Sequence, residues 1–384
     1  MITTISILAL ATSALGNPVP THNALETRDT CTINSLSTVT AAEKCSTITI
    51  DAFTVPAGQK LVISAPNKAT INMNGNITAS PIPTFAADTT FKTSGPLFTL
   101  SGTGINFNGN GFTIDGQGAK YWDGQGTSSS AKQAKPHPMI KLSCSGTVKD
   151  VKVLNSPAQV FSMGNDATLI ISKIDINNSA GNAPNSLSGG KPAAHNTDGF
   201  DVSTNDVTIQ DSTIVNQDDC LAINKGSNIA FQNNKCTGGH GISIGSIASG
   251  STVSNVRITG NTITDNVQAL RIKTDANAKS GSVSGVTYSG NHATGCTSYG
   301  VIIDQSYPDT LGAAGAGVKI SNITFSGTNT IAIDPSAKGE IEVNCAKGGC
   351  SGTWDWSGLK VSGGPSGYIV DADIPQFKSI SRSS

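Results

Sequence analysis

The stretch VTIQDSTIVNQDDCLAINKGSNIAFQNNKC, residues 207–236, contains one phrase twice, at 207–214 and at 229–236. Each copy alternates apolar and polar residues and then continues with a polar turn pair. Further copies begin at residues 105, 256, 286 and 323, and the intervals from 207 onward are 22, 27, 30 and 37 residues. Such alternation is typical of a short strand with one buried face, and pairs such as Asp-Ser or Gly-Asn mark bends. Recurrence at this interval predicts a solenoid.

The predicted fold is all-β, a single-domain right-handed parallel β-helix with a short N-terminal capping helix. Successive coils stack at about 4.8 Å, so columns of Val, Ile and Phe fill the interior while Asn and Ser line turns and the exterior. The first coil needs a cover, and NSLSTVTAAEKC, residues 34–45, is predicted to supply it as a helix. Charged residues are only 13% of the chain, too few for long amphipathic helices.

The N-terminal residues have features of an exported protein. An apolar run from Ile5 to Leu15 predicts a secretory signal, and Arg28 before Asp-Thr-Cys predicts a propeptide cleavage site. Sequons at Asn76, Asn177 and Asn322 fit secretion into the extracellular space. The chain is therefore predicted to comprise a signal peptide at 1–16, a propeptide at 17–28 and a parallel β-helix catalytic domain at 29–384.

The eight cysteines form an even set, which suits an oxidising compartment. Three close pairs are predicted disulfides: Cys31 with Cys45, Cys220 with Cys236, and Cys345 with Cys350. Cys144 and Cys296 remain, and the several coils between them correspond to well over about 20 Å. A disulfide tolerates no more than about 7 Å between Cα atoms, so both are predicted to be buried free thiols.

Net charge limits the partners. The formal charge of −1 leaves no basic excess to neutralise phosphates. General binding to nucleic acid or to an anionic membrane is therefore not expected, and any anion recognition must be local.

Acidic residues, scarce elsewhere, recur at one phase of successive coils. Asp198 and Asp219 are 21 residues apart, and His240 follows after 21 more. One coil apart each time, the three should stand side by side on one face, with Asp218 next to Asp219. Clustered carboxylates cannot all stay ionised at low cost, so at least one is expected to have a raised pKa and to hold a proton.

Two cations follow on the next coil. Arg271 and Lys273 are separated by Ile272, so both should face outward while Ile272 points inward. A protonated acid beside an ionised carboxylate is what hydrolysis of a glycosidic bond requires, and paired cations can bind a carboxylate on the sugar.

These motifs resemble a known family. NTDGFD at 196–201, QDDC at 217–220, GGHG at 238–241 and RIK at 271–273 are similar, in order and spacing, to the fungal polygalacturonases of glycoside hydrolase family 28. The resemblance extends from about residue 29 to the C-terminus. It implies a monomeric, endo-acting enzyme that hydrolyses α-1,4 bonds of polygalacturonate in pectin with inversion, without a metal or cofactor. Plant inhibitor proteins are implied as further partners.

The resemblance also implies residue roles. Asp218 is the proton donor, Asp198 and Asp219 position and activate water, and His240 supports protonation of the donor. The implied substrate-binding residues are Arg271 and Lys273 for carboxylates, Asn196 lining the site and Tyr307 contacting sugar. The chain departs from the family at its end, PQFKSISRSS, which lacks a further cysteine pair.

Other interpretations remain open at this stage. A pectate lyase on a similar coil would bind Ca²⁺ with the clustered Asp residues and use Arg or Lys as base. A noncatalytic carbohydrate-binding β-helix would need more aromatic residues than 5%. Exo-acting relatives are disfavoured because no large insertion interrupts the catalytic coils.

Trp122 and Asp123 are predicted to fasten a loop to the wall of the coil. Asp201 is predicted to point away from Asp198 and to serve a turn.

Overall fold

A computed structural model describes residues 31–81, 95–132 and 134–370. The chain winds into a parallel β-helix, which confirms the predicted fold class. Strands of successive coils pair in parallel, with local register shifts in several pairs. One sheet has 11 strands, and a second has 20 because its longer strands turn a corner and continue into a neighbouring face.

The strands are β1 (Thr32–Ile33), β2 (Thr47–Ile50), β3 (Phe53–Val55), β4 (Leu61–Ser64), β5 (Thr70–Met73), β6 (Ile77–Ala79), β7 (Phe98–Asn108), β8 (Thr113–Asp115), β9 (Ile140–Lys149), β10 (Lys152–Leu154), β11 (Phe161–Met163), β12 (Leu169–Ser172), β13 (Asp175–Asn177), β14 (Phe200–Ser203), β15 (Val207–Gln210), β16 (Thr213–Val215), β17 (Asp219–Gln232), β18 (Lys235–Thr237), β19 (Gly241–Ile247), β20 (Ser251–Thr259), β21 (Thr262–Thr264), β22 (Gln268–Asp275), β23 (Gly281–Ser289), β24 (His292–Cys296), β25 (Tyr299–Tyr307), β26 (Lys319–Ser326), β27 (Asn329–Ile333), β28 (Gly339–Asn344), β29 (Cys350–Ser351), β30 (Leu359–Ser362) and β31 (Ile369–Val370). In the described residues, short 3-10 helices cover Leu36–Thr38, Gly118–Lys120 and Ser179–Asn182, and an α-helix, α1, covers Val39–Ala42.

The first coil carries the predicted cap. Helix α1 buries Val39 and Ala42 against the hydrophobic core, and the Cys31–Cys45 disulfide joins the two ends of the capping segment. Because the cap covers the apolar end of the coil, it removes an edge on which further strands could pair.

The core is a continuous stack of side chains along the coil axis. Phe161 and Phe200 on adjacent coils stack with ring centroids 5.3 Å apart. Further along, Phe325 stacks between Tyr288 at 4.8 Å and Trp356 at 5.0 Å. Burial of each large apolar side chain contributes about 1.5–3 kcal/mol, so repetition of one inward column stabilises every coil.

The polar turn pair of the repeat has a structural cause. Its first residue adopts a positive φ, as at Asn233 (57°) and Gly260 (65°), conformations that Gly and Asn adopt readily. The second residue points inward: Asn261 Oδ1 accepts a hydrogen bond from the backbone N–H of Asn234 (2.9 Å), and Asn291 Oδ1 accepts one from that of Asn261 (3.1 Å). These asparagines lie in the turns, as predicted, and their side chains are buried and bond from coil to coil.

All three predicted disulfides are present, and Cys144 and Cys296 are buried free thiols as predicted. Burial raises the pKa of each free thiol to about 12, so both stay protonated and unreactive. In the described ranges no helix is both long enough and apolar enough to cross a bilayer. The predicted signal peptide, the propeptide and the C-terminal PQFKSISRSS segment lie outside those ranges.

Candidate active site

An open cavity of about 390 Å³ lies on one outer face of the coil. This face, here called the site wall, is formed by β11, β14, the first half of β17, β19, β22 and β25. Every residue predicted for the site lines this cavity: Asn196, Asp198, Asp218, Asp219, His240, Arg271, Lys273 and Tyr307. Asp198 and Asp219 stack on adjacent coils as the 21-residue spacing predicted, since Gly199 N–H donates to Asp219 O (2.9 Å). His240 lies on the next coil but in line with Asp218 and not with Asp219, since its N–H donates to Asp218 O (2.8 Å) where the pairing of β17 with β19 shifts register.

A break in the strand alternation brings an additional acid to the cleft. Two consecutive residues face the interior at this point of neighbouring coils, namely Gly199 with Phe200 and Cys220 with Leu221. Asp198 and Asp201 therefore both point outward although they are three residues apart. The expectation that Asp201 turns away from Asp198 was wrong, since it assumed uninterrupted alternation. Asp201 lines the same cavity as the other acids.

Asp219 is held by two donors. Lys273 Nζ lies 2.7 Å from Asp219 Oδ2, and Ser243 Oγ donates to Oδ1 at 2.6 Å. The Asp219 side chain is 1% exposed and that of Lys273 is 10% exposed, so this is a buried ion pair. Burial favours neutral Lys273, but the charge of Asp219 outweighs it and raises the pKa of Lys273. Lys273 therefore keeps its positive charge beside Asp219.

Asp218 accepts three hydrogen bonds. His240 Nδ1 lies 3.0 Å from Oδ1, Asp219 N–H donates to Oδ1 at 2.8 Å, and Asn196 Nδ2 donates to Oδ2 at 3.2 Å. Burial acts to raise the pKa of Asp218, but the hydrogen bond and charge of His240, together with Lys273, bring it to about 2. Burial acts to lower the pKa of His240, and Asp218 and Asp219 raise it overall. Without substrate, His240 thus stabilises ionised Asp218.

The protonated carboxyl predicted for the cluster is found elsewhere in it. Burial first, and then the negative charges of Asp218 and Asp201, raise the pKa of Asp198 well above its ordinary value. Burial and the charges of Asp219 and Asp218 raise the pKa of Asp201 to about 7. Asp198 Oδ1 is buried and has no hydrogen-bond partner among the described residues, so no donor stabilises its ionised form.

The cations stand at the C-terminal side of the acids. Arg271 and Lys273 face the cleft while Ile272 is fully buried, as predicted. Lys273 Nζ also lies 5.4 Å from the ring centroid of Tyr307. Arg271 lines the cavity, and its buried Nε has no partner in the described part of the chain. A guanidinium in this position suits an anionic ligand.

A loop fixes Asn196 in place. Trp122 Nε1 donates to Ser156 O at 3.0 Å, and a buried ion pair joins Asp123 Oδ1 to Lys135 Nζ at 2.8 Å, which supports the predicted fastening role of Trp122 and Asp123. From this loop Thr127 N–H donates to Asn196 Oδ1 at 3.1 Å. That bond orients the Asn196 amide so that its NH₂ faces Asp218.

Replacing Asp201 by Asn is expected to stabilise the protein at neutral pH. A carboxyl whose pKa is raised on folding opposes folding increasingly as pH rises from its ordinary value through about 7. The neutral amide removes this penalty, so Asp201→Asn should gain about 1–3 kcal/mol at pH 7.5 and almost nothing at pH 4. Thermal unfolding at both pH values measures the gain, with exposed Asp175→Asn as the matched control. Equal stability of Asp201→Asn and the parent protein at pH 7.5 would contradict the raised pKa.

Fold and cleft together define a β-helix enzyme with acid–base machinery for an anionic carbohydrate. Residues 45–376 match the family model described as Glycosyl hydrolases family 28. The chain belongs to this family and is a glycoside hydrolase, as the motifs predicted.

The chain is similar to named fungal relatives along most of its length. It is 40% identical over 338 residues to an endo-polygalacturonase of Sclerotinia sclerotiorum, covering 86% of this chain and 82% of the relative. A polygalacturonase of Saccharomyces cerevisiae is 39% identical over 364 residues, with 91% and 92% covered. The solved structure of endopolygalacturonase I from Stereum purpureum, complexed with two galacturonate, has a TM-score of 0.82 and 46% identity, with 92% of this chain and 99% of that chain covered.

Proposed function

We propose that this enzyme is a secreted endo-acting hydrolase of α-1,4-galacturonosyl bonds in polygalacturonate. The observation that carries the proposal is the meeting, in one open cleft, of the acid cluster with Arg271 and Lys273. The cations suit a sugar that carries a carboxylate, and the acids suit cleavage of the bond beside it. The relatives named endopolygalacturonase support the same substrate.

The proposed mechanism is inverting. Asp218 donates a proton to the glycosidic oxygen, while Asp198 and Asp219 hold the attacking water and accept its proton. Asp218 suits donation because it lines the cleft and, within the described ranges, its Oδ2 accepts one hydrogen bond, from the Asn196 amide. Asp219 suits the water-activating role because Lys273 and Ser243 hold its carboxyl group in a fixed orientation at the cleft.

Substrate binding is proposed to protonate Asp218. The charge of Lys273 contributes to the low pKa of Asp218, and a galacturonate carboxylate bound to Lys273 offsets that charge. The sugar also excludes water from Asp218, which disfavours its ionised form. Protonated Asp198 and the His240 imidazolium, beside Asp218 in the cleft, are the proton sources.

The lyase alternative fits the donors less well. Asp218, Asp219 and His240 have potential ligand atoms within 4.8 Å of one another. However, Lys273 and Ser243 occupy the Asp219 oxygens, and His240 Nδ1 engages Asp218. Ca²⁺ requires about six to eight oxygen ligands, so these residues favour an internal ion-pair network over a calcium site.

Product analysis on polygalacturonate, with and without a chelator, tests the proposed function. A hydrolase should give saturated products at an unchanged rate in chelator, and proton NMR should show the β-anomer as the initial product if the anomeric centre inverts. Endo action predicts that viscosity falls much faster than reducing ends appear. Loss of activity in chelator, unsaturated products or monomer as the sole early product would each contradict part of the proposal.

We also infer export and a monomeric state, with plant inhibitor proteins as candidate partners. Disulfides favour an oxidising compartment, and the three sequon asparagines are exposed on the coil surface: Asn76, Asn177 and Asn322. Mass spectrometry of protein from culture medium tests this inference. A mature chain starting near Asp29, with glycan on these positions, is the expected result.

A further inference from the structure

Gln159 stands next to the acids but has no role in the mechanism described so far. Val160 N–H donates to Asp198 O at 2.8 Å, and Gly199 N–H donates to Asp219 O at 2.9 Å. Gln159, Asp198 and Asp219 therefore occupy one position on three successive coils, about 4.8 Å apart. Gln159 lines the same cavity on the side of the N-terminal coils, opposite to Arg271.

Two buried oxygens in this column lack a donor. Neither Gln159 Oε1 nor Asp198 Oδ1 has a hydrogen-bond partner among the residues that the structure describes. A buried acceptor without a donor costs about 1–3 kcal/mol, so a cleft retains such atoms chiefly where a ligand satisfies them. Asp198 is 9% exposed, so few positions other than the cleft can supply its donor.

The unpartnered polar atoms on the two sides of the cleft have opposite hydrogen-bonding roles. On the N-terminal side they are the acceptors of Gln159 and Asp198, whereas on the C-terminal side Arg271 Nε is a donor. Sugar hydroxyls donate to amide and carboxyl oxygens, and sugar carboxylates accept from a guanidinium. The Gln159 amide also carries an NH₂, so it can donate to one hydroxyl while it accepts from the next.

We propose that Gln159 is a substrate-binding residue that contacts the hydroxyls of the galacturonate unit lying over Asp198. This unit is on the side of the scissile bond opposite to the unit whose carboxylate Arg271 and Lys273 bind. The proposal rests on the proposed function, because it requires a galacturonate chain in the cleft. Gln159 thereby favours a sugar that carries hydroxyls at this position. In this proposal Arg271 and Lys273 contact the other sugar unit and not these hydroxyls.

Calorimetric binding of a defined oligogalacturonate tests the proposal in an Asp218→Asn background, where turnover does not interfere. Gln159→Met removes the amide at similar length and should raise Kd roughly fivefold to tenfold, the loss of about one or two hydrogen bonds. Gln159→Glu keeps the shape but adds a charge that repels the substrate, so a larger increase is expected. With Asp218 intact, Gln159→Met should raise KM by a similar factor and leave kcat within about threefold.

Gln232→Met is the matched control, because Gln232 donates to Gln210 on a different face of the coil. Its Kd should equal that of the background protein, and thermal midpoints check that all variants fold. If the background protein binds the oligogalacturonate and both Gln159 variants bind equally well, the role of Gln159 is overturned while the proposed function stands. If no galacturonate oligomer binds and the parent enzyme does not cleave polygalacturonate, both proposals fall together.

Discussion

The Asp218→Asn variant is expected to lose about three orders of magnitude in kcat on polygalacturonate, with little change in KM. The amide has the shape of the carboxyl and can retain contacts with His240 and Asn196. It cannot transfer a proton to the departing sugar oxygen, and general acid catalysis contributes about 10²–10⁴ in rate. Initial rates of reducing-end release, measured across substrate concentration, give both constants.

A substrate with an activated leaving group separates the proton donor from the water-activating acids. An aryl oligogalacturonide needs no protonation of its leaving oxygen, so Asp218→Asn should recover most of its rate on this substrate. Asp198→Asn should stay slow on both substrates, because activation of water is still required. This comparison is necessary because the raised pKa of Asp198 in the free enzyme would also suit a proton donor. If Asp198→Asn recovered its rate on the aryl substrate and Asp218→Asn did not, Asp198 would be the proton donor and Asp218 a water-activating acid.

The repeat predicted much of the fold and of the site. Period-two alternation fixed which residues point inward, and the 21-residue spacing placed Asp198, Asp219 and His240 on neighbouring coils, as the backbone hydrogen bonds between those coils show. Ile272 is buried between two outward cations because the alternation holds locally from Leu270 to Lys273. These predictions needed only the direction of each side chain.

The predictions that failed depended on local departures from the repeat. Asp201 reaches the cleft because Gly199 and Phe200 both face inward, and a residue other than Gly at 199 would bring its Cβ within 2.6 Å of Cys220 O. A glycine two residues before an outward acid was the available signal. The distribution of protons could not be predicted, because the pKa of Asp218 depends on hydrogen bonds of about 3 Å that spacing does not specify.

Loop contacts were also beyond prediction from the pattern. Trp122 and Asp123 predicted a fastened loop, but the pairing of Asp123 with Lys135 joins residues 12 apart in a segment without periodicity. The resulting contact from Thr127 to Asn196 links that loop to Asp218. Functional residues often lie on irregular loops that a regular scaffold supports. Here the repeat predicted the strands of the site wall, but it did not predict the loop contact.

The second large effect is expected at Lys273, where Lys273→Met should lower kcat/KM by roughly 10²–10³-fold through both constants. Loss of substrate binding alone would raise KM. Lys273 Nζ, however, also lies 2.7 Å from Asp219, and removing one partner of a buried ion pair costs about 3–5 kcal/mol because the other charge is left uncompensated. Part of that cost should appear as a lower thermal midpoint, and part as a lower kcat because Asp219 loses the cation that holds its carboxyl group in position at the water.

Arg271→Gln is the matched comparison for Lys273→Met. Arg271 faces the same cleft, but its Nε has no partner within the described ranges, and no ion pair joins its guanidinium to the acids there. Its loss should raise KM while kcat and the thermal midpoint stay close to those of the parent enzyme. Kinetic constants and unfolding curves for both variants would distinguish the two cations. If Lys273→Met behaved as Arg271→Gln does, with only KM changed, the ion pair with Asp219 would have no part in the chemical step, and Lys273 would act through the substrate carboxylate alone.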